Sequence, residues 1–132
     1  MSRRYVVGLA AVVGLISGCS GSPYRIPDRH TAGVQAEETR LAALLPDRLL
    51  WGPGTCEVRL LGREDSSSFA WAACEITPTA EHPSGGISMP VRVDGDRVRK
   101  PADGEGYAES IERLFPRDLA DAVLHEPERL RP

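Results

Sequence analysis

Residues 56–77 read "CEVRLLGREDSSSFAWAACEIT", two largely apolar stretches on either side of a polar centre. Cys56–Leu61 and Ser68–Thr77 have the alternating, β-branched and aromatic character of strands, and "GREDSS" between them has turn chemistry. Pairing Cys56 with Cys74 sets a register. Val58 then faces Ala72, Leu60 faces Ala70, and Arg63 meets Ser67 across a three-residue loop, a length that hairpins use. Side chains alternate along a strand, so Cys56, Val58, Leu60, Ala70, Ala72 and Cys74 share one face. Leu61, Phe69, Trp71 and Ala73 share the other. Both faces are mostly apolar, which predicts a central hairpin rather than a solvent-exposed edge.

The neighbouring segments extend this hairpin. In Ile87–Val93, "ISMPVRV", Ile87, Met89, Val91 and Val93 point to one side. Pro90 cannot donate to a ladder, so the strand sits at an edge or turns its N–H side outward. Asp94-Gly95 signals a turn, and Arg97–Arg99 returns. Upstream, Val34–Leu45 has Val34, Leu41, Leu44 and Leu45 at helical spacing. Thr31 is its expected N-cap, Glu37 and Glu38 suit its positive end, and Pro46 ends or kinks it. Leu49, Leu50 and Trp51 anchor the following turn. Downstream, Tyr107–Phe115 places Tyr107, Ile111, Leu114 and Phe115 on one helical face, and Pro116 opens a second helix with Leu119 and Val123 inward. The expected fold is α+β: a helix, four antiparallel strands and two short helices, with the helices segregated to one side of the sheet.

Length and charge limit the possibilities. The chain has 132 residues, room for one small domain. Its formal charge is −3 and its pI about 5.6, which argues against a nucleic-acid partner. Lys100 is the only lysine beside many arginines. With the abundant Ala, Gly and Pro, this reads as the product of a GC-rich bacterial genome.

The N-terminus reads as an address. Arg3 and Arg4 precede an uncharged run, Tyr5–Ile16. As a helix it would rise only about 18 Å, short of the ~30 Å hydrocarbon core, so it fits a signal peptide better than a membrane span. It ends in Ile16-Ser17-Gly18-Cys19. This resembles the bacterial lipobox: an aliphatic residue, two small residues and a cysteine, here with Ile where Leu is usual. The resemblance implies a diacylglycerol on the Cys19 sulfur, cleavage between Gly18 and Cys19, and possible acylation of the new amino group. One acyl chain anchors marginally and two anchor stably. Residues 1–18 are then the signal peptide, and 19–33 the lipidated cysteine with a flexible, Pro/Gly/Ser-containing tether. Residues 34–126 form a single domain, and 127–132 a frayed end.

With Cys19 assigned to lipid, Cys56 and Cys74 remain, an even pair in an extracytoplasmic setting. The register lets them meet, so a Cys56–Cys74 disulfide is expected. Two cysteines this far apart, without a second Cys pair or a nearby His pair, do not make a metal site.

A second resemblance covers the C-terminal half. Phe69–Cys74, Pro90–Gly95, Pro101–Tyr107 and Leu114–Pro116 resemble a segment of uncharacterised actinobacterial and related envelope proteins. It implies that hairpin and following helix form one unit, and it carries over no functional residue.

Chemistry-bearing patterns are sparse. No nucleophile elbow, zinc-protease motif, Walker loop or dinucleotide fingerprint is present. His30 lies in the tether, His82 in a Pro/Gly loop, and His125 at a helix end where it complements the dipole. Asp94, Asp96, Asp103 and Glu105 would hold a hard cation only if their loops converged, and a solvated acidic rim is the preferred reading. Phe69 and Trp71 would form an aromatic ligand platform if their face were open. The favoured alternative is core beneath the Val34–Leu45 helix.

The expectation is therefore a lipid-anchored cell-envelope protein on the extracytoplasmic face, acting as a non-catalytic binding or accessory domain. A small modulator subunit of a membrane complex is the alternative, and an envelope hydrolase ranks third. No catalytic residue, metal or cofactor is implied. The expected partners are the membrane, through its anchor, and an envelope protein.

Overall fold

The computed structural model describes residues 23–132, and within it Cys56 stands opposite Cys74. The elements in order are α1 (Ala32–Leu49), β1 (Gly54–Glu64), β2 (Ser67–Ile76), β3 (Gly86–Asp94) and β4 (Arg97–Arg99). A 3-10 turn (Gly104–Gly106) comes next, then α2 (Tyr107–Leu114), α3 (Arg117–His125) and α4 (Pro127–Leu130). The four strands form one antiparallel sheet in the order β1-β2-β3-β4. The fold is α+β, as the sequence predicts.

The hairpin register holds from Cys56↔Cys74 to Leu60↔Ala70 and then shifts. Leu61 is an extra residue, after which Gly62 meets Phe69, Arg63 meets Ser68 and Glu64 meets Ser67. The expected Arg63–Ser67 pairing and three-residue loop are thus replaced by a bulge and the two-residue turn Asp65-Ser66. Both consecutive leucines are buried: Leu60 packs in the core on one face of the sheet and Leu61 in the core on the other. A bulge inserts one residue on one strand and re-aims the side chains beyond it. Gly62 then lies against the Tyr24 hydroxyl, which a Cβ there would approach to 2.6 Å. Asp65 takes φ 53°, a conformation that Asp tolerates better than most residues.

Helices cover both faces of the sheet, not one. On the first face α1 lays Leu41, Leu45 and Leu49 over Cys56, Val58, Leu60, Ala70, Ala72, Cys74, Val91 and Val93. On the second, α2, α3 and α4 lay Ile111, Leu114, Leu119, Val123 and Leu130 over Leu61, Phe69 and Trp71. Trp71 is therefore core beneath the C-terminal helices and not beneath α1. The cause is parity: Trp71 is one residue from Ala70 and Ala72, which face α1.

Helix α1 continues through Pro46 to Leu49. Proline removes one N–H, yet the Leu50 N–H still bonds Pro46 O at 3.0 Å. Continuing the helix keeps Leu49 in the i, i+4, i+8 stripe with Leu41 and Leu45. Thr31 occupies the N-cap position without capping through its side chain, since its hydroxyl donates to Asp28 O. Glu37 and Glu38 lie beyond the first turn and are buried facing the body, rather than serving the positive helix end.

Both chain ends of the domain differ from expectation. Tether composition is read up to residue 33, yet Tyr24, Ile26 and Arg29 hold the segment before α1 to the body. Tyr24 and Ile26 pack in the C-terminal helical layer. Tyr24 Oη donates to Leu61 O at 2.7 Å, and Arg29 Nη2 donates to Val58 O at 3.3 Å and to Glu38 at 2.8 Å. Residues 127–132, expected to fray, include α4 and the fully buried Leu130. Leu130 ties this end down because it completes the apolar cover on the second face.

β3 has β4 as a neighbour only from Arg92 to Asp94. Around Pro90 the outer side of β3 is unpaired, which satisfies the missing N–H as the sequence predicts.

Candidate functional site

The Cys56–Cys74 disulfide is formed, with Cα atoms 4.0 Å apart. So short a separation marks a pair whose backbone groups point away from each other's strand. By alternation Val58 is such a residue too, and its outward carbonyl is the one Arg29 caps. The bridge is buried, with Cys74 1 % exposed. Its role is structural.

Phe69 and Trp71 are not an open platform, being 2 % and 3 % exposed. Phe69 meets Phe115 edge-on, with ring centroids 5.8 Å apart, and the Arg92 guanidinium lies 5.7 Å from its centroid. Trp71 donates from Nε1 to Ser88 Oγ at 2.8 Å and is roofed by Arg131 at 5.4 Å. Among the described residues the large exposed aromatic is instead Trp51, at 57 %. Its expected anchoring role passes to Leu49 and Leu50, which pack into the core.

The helices on the second face stop short of the end of the sheet nearest the chain's Gly54 and Gly86. There Thr55, Glu57, Ala73, Glu75, Gly86 and Ser88 form the floor of a recess of about 490 Å³. Thr55, Glu57, Glu75 and Ser88 are exposed, so hydroxyls and carboxylates alternate on three adjacent strands. Trp71 and its partner Ser88 bound this shelf on the helical side. Thr55, Glu57 and Arg59 alternate along β1 on the face that also carries Phe69 and Trp71, and the extent of the C-terminal helices decides which part of that face stays uncovered.

Two further polar groups join separate elements. Asp94 accepts from the Ser67 hydroxyl and from Arg92 Nε at 3.0 Å, with Arg99 3.9 Å away. These partners, the Ser67 hydrogen bond first, hold its carboxyl below the usual aspartate range. Arg92 also donates to Leu114 O, which ties the sheet to α2. Asp94 is thereby committed inward and does not join Asp96, Asp103 and Glu105 in a cation site. Among the described residues no cluster of three His, Cys, Asp or Glu side chains forms. His125 lies in the last turn of α3, 3.4 Å from Asp121, and His82 stays in its loop, its N–H bonded to the Thr79 hydroxyl. His30 is exposed.

Ile16, Ser17, Gly18 and Cys19 lie outside the described residues. No helix among the described residues is long and apolar enough to cross a membrane. Comparison with family models, with curated proteins and with solved structures found no match.

Proposed function

We propose that the chain is a lipid-anchored protein of the bacterial cell envelope whose domain is a non-catalytic binding or accessory module. The observation that carries this reading is Ile16-Ser17-Gly18-Cys19 at the end of the uncharged run Tyr5–Ile16. The Cys56–Cys74 bridge supports it, because disulfides persist in oxidising compartments outside the cytoplasm. A binding role is favoured over hydrolysis by the character of the shelf. The recess is an open, shallow floor of exposed side chains on three strands, without the enclosed cleft that excludes water from a hydrolytic centre. The shelf of Thr55, Glu57, Glu75 and Ser88 offers hydrogen-bond acceptors and hydroxyls to an envelope partner.

The test is a Cys19→Ala variant followed by fractionation and mass analysis of the N-terminal peptide. Wild type is expected in the membrane fraction, cleaved before Cys19 and carrying diacylglycerol. The variant is expected to lose the lipid and to leave the normal processing route. Lipid-free wild type in the membrane fraction would overturn the reading. Crosslinking in living cells from a photoreactive residue at Ser88 is expected to capture a partner that the same residue at the exposed Ala43 does not.

A further inference from the structure

Tyr24 is fixed to the body only five residues after Cys19. Its hydroxyl donates to Leu61 O at 2.7 Å, and its carbonyl accepts from Arg129 Nη1 at 2.9 Å. Pro23, Tyr24 and Arg25 line a surface recess with Asp118, Asp121, Ala122 and Glu126. The chain therefore meets the domain on the α3 side of the sheet. From there Ile26 packs in the same layer, and Arg29 reaches Val58 O and Glu38 of α1. The segment crosses the free edge of β1 from the C-terminal helical layer to the α1 layer.

We infer, resting on the lipoprotein reading above, that the α3 side of the domain is its bilayer-facing surface and that the outer face of α1 points away from the membrane. A chain extends at most ~3.6 Å per residue, so Cys19 to Tyr24 reaches no more than about 18 Å. A helix is about 10 Å across and a sheet packs about 10 Å from its neighbouring layer. Inverting the domain would lift Tyr24 over both α1 and the sheet, roughly 20 Å, which leaves the tether fully stretched and without conformational freedom. Covalent reach sets the orientation, not charge. Asp118, Asp121 and Glu126 on this side are repelled by anionic headgroups, and screening over ~8 Å lets the acidic surface stand off within the length of the tether. The shelf, which opens on the same face of the sheet as α3, then lies on the bilayer side, within reach of an envelope partner at the membrane surface.

The experiment uses the full-length lipidated protein in vesicles of phosphatidylcholine and phosphatidylglycerol doped with a nickel-chelating lipid. Cys19 carries lipid and Cys56 is bonded to Cys74, so an introduced cysteine is the free thiol for a nitroxide. Asp121→Cys reports the α3 side and Ala43→Cys the exposed side of α1. Nickel-induced relaxation is expected to be several-fold stronger at position 121. Inserting eight Gly/Ser residues between Ser22 and Pro23 is expected to bring the two positions together. Tyr24→Ala, which removes the hydroxyl bond to Leu61 O but keeps the backbone bond from Arg129 and the Ile26 contact, is expected to narrow the difference less than the insertion does. Equal relaxation at both positions in lipidated protein, or stronger relaxation at 43, overturns the orientation alone. A peptide lacking diacylglycerol overturns the lipoprotein reading, and the orientation with it.

Discussion

The Ser68 hydroxyl donates a 2.8 Å hydrogen bond to Glu37 Oε1, joining β2 to α1 inside the domain. Arg40 closes the same carboxylate from the helix, at 2.6 Å to Oε1 and 3.1 Å to Oε2. Arg63 lies 3.9 Å away across the interface. Arg63 reaches this face because of the bulge at Leu61, since a straight strand would have pointed it toward the other helical layer. The group is thus a consequence of the hairpin's irregularity.

Acid is expected to weaken this joint. The Arg40 hydrogen bond, ahead of the Ser68 bond and the Arg63 charge, holds Glu37 below the usual glutamate range despite burial. Its folded-state value lies below the unfolded one, so its contribution is complete above the ordinary range. It is lost as pH falls through the depressed value. Asp94 acts with the same sign. Urea midpoints are expected to fall between about pH 6 and pH 3, and Glu37→Gln is expected to flatten that decline. At neutral pH the substitution should cost about 1–3 kcal/mol, as for a hydrogen bond to a charged group. An acid limb of unchanged steepness in the variant would count against the assignment.

Reduction of Cys56–Cys74 is expected to destabilise the domain by roughly 3 kcal/mol, the chain-entropy figure for a loop closed by a bridge 18 residues apart. Urea unfolding with and without dithiothreitol measures it. The double variant Cys56→Ala/Cys74→Ala should match the reduced protein and be insensitive to reductant.

Leu130→Ala is expected to cost about 2–5 kcal/mol, because a fully buried leucine leaves a cavity when truncated. In a Trp51→Phe background, emission reports Trp71 alone. Deleting residues 127–132 should shift it to the red and raise its quenching by acrylamide, because Leu130 and Arg131 cover that face. An unaltered spectrum would show that α4 does not shield the ring.

Asp65→Gly is expected to maintain or raise stability, and Asp65→Val to lower it by about 1–2 kcal/mol, the penalty of a left-handed backbone for a residue with a branched side chain. Thermal unfolding of the pair separates this backbone effect from any general loss at the turn.

Alternation and helical spacing are local properties, and they determined much of the fold. The pairing of Cys56 with Cys74, the split of apolar residues between two faces of the hairpin, the strand around Pro90 and the helix beginning at Tyr107 all follow from them. The Cys56–Cys74 bridge followed from register. The tertiary structure decided which helix covers which face, because parity distinguishes two faces of a sheet without saying what lies on each. It decided that Leu61 bulges, which turns Gly62 toward Tyr24 and Arg63 toward Glu37. It also decided that polar, proline-containing ends at Tyr24–Thr31 and Pro127–Pro132 belong to the domain. Their composition resembles tether, and what holds them is a few long-range contacts. One tyrosine hydroxyl on a bulge carbonyl and one leucine in a distant core are invisible to any window of sequence, because each partner lies dozens of residues away.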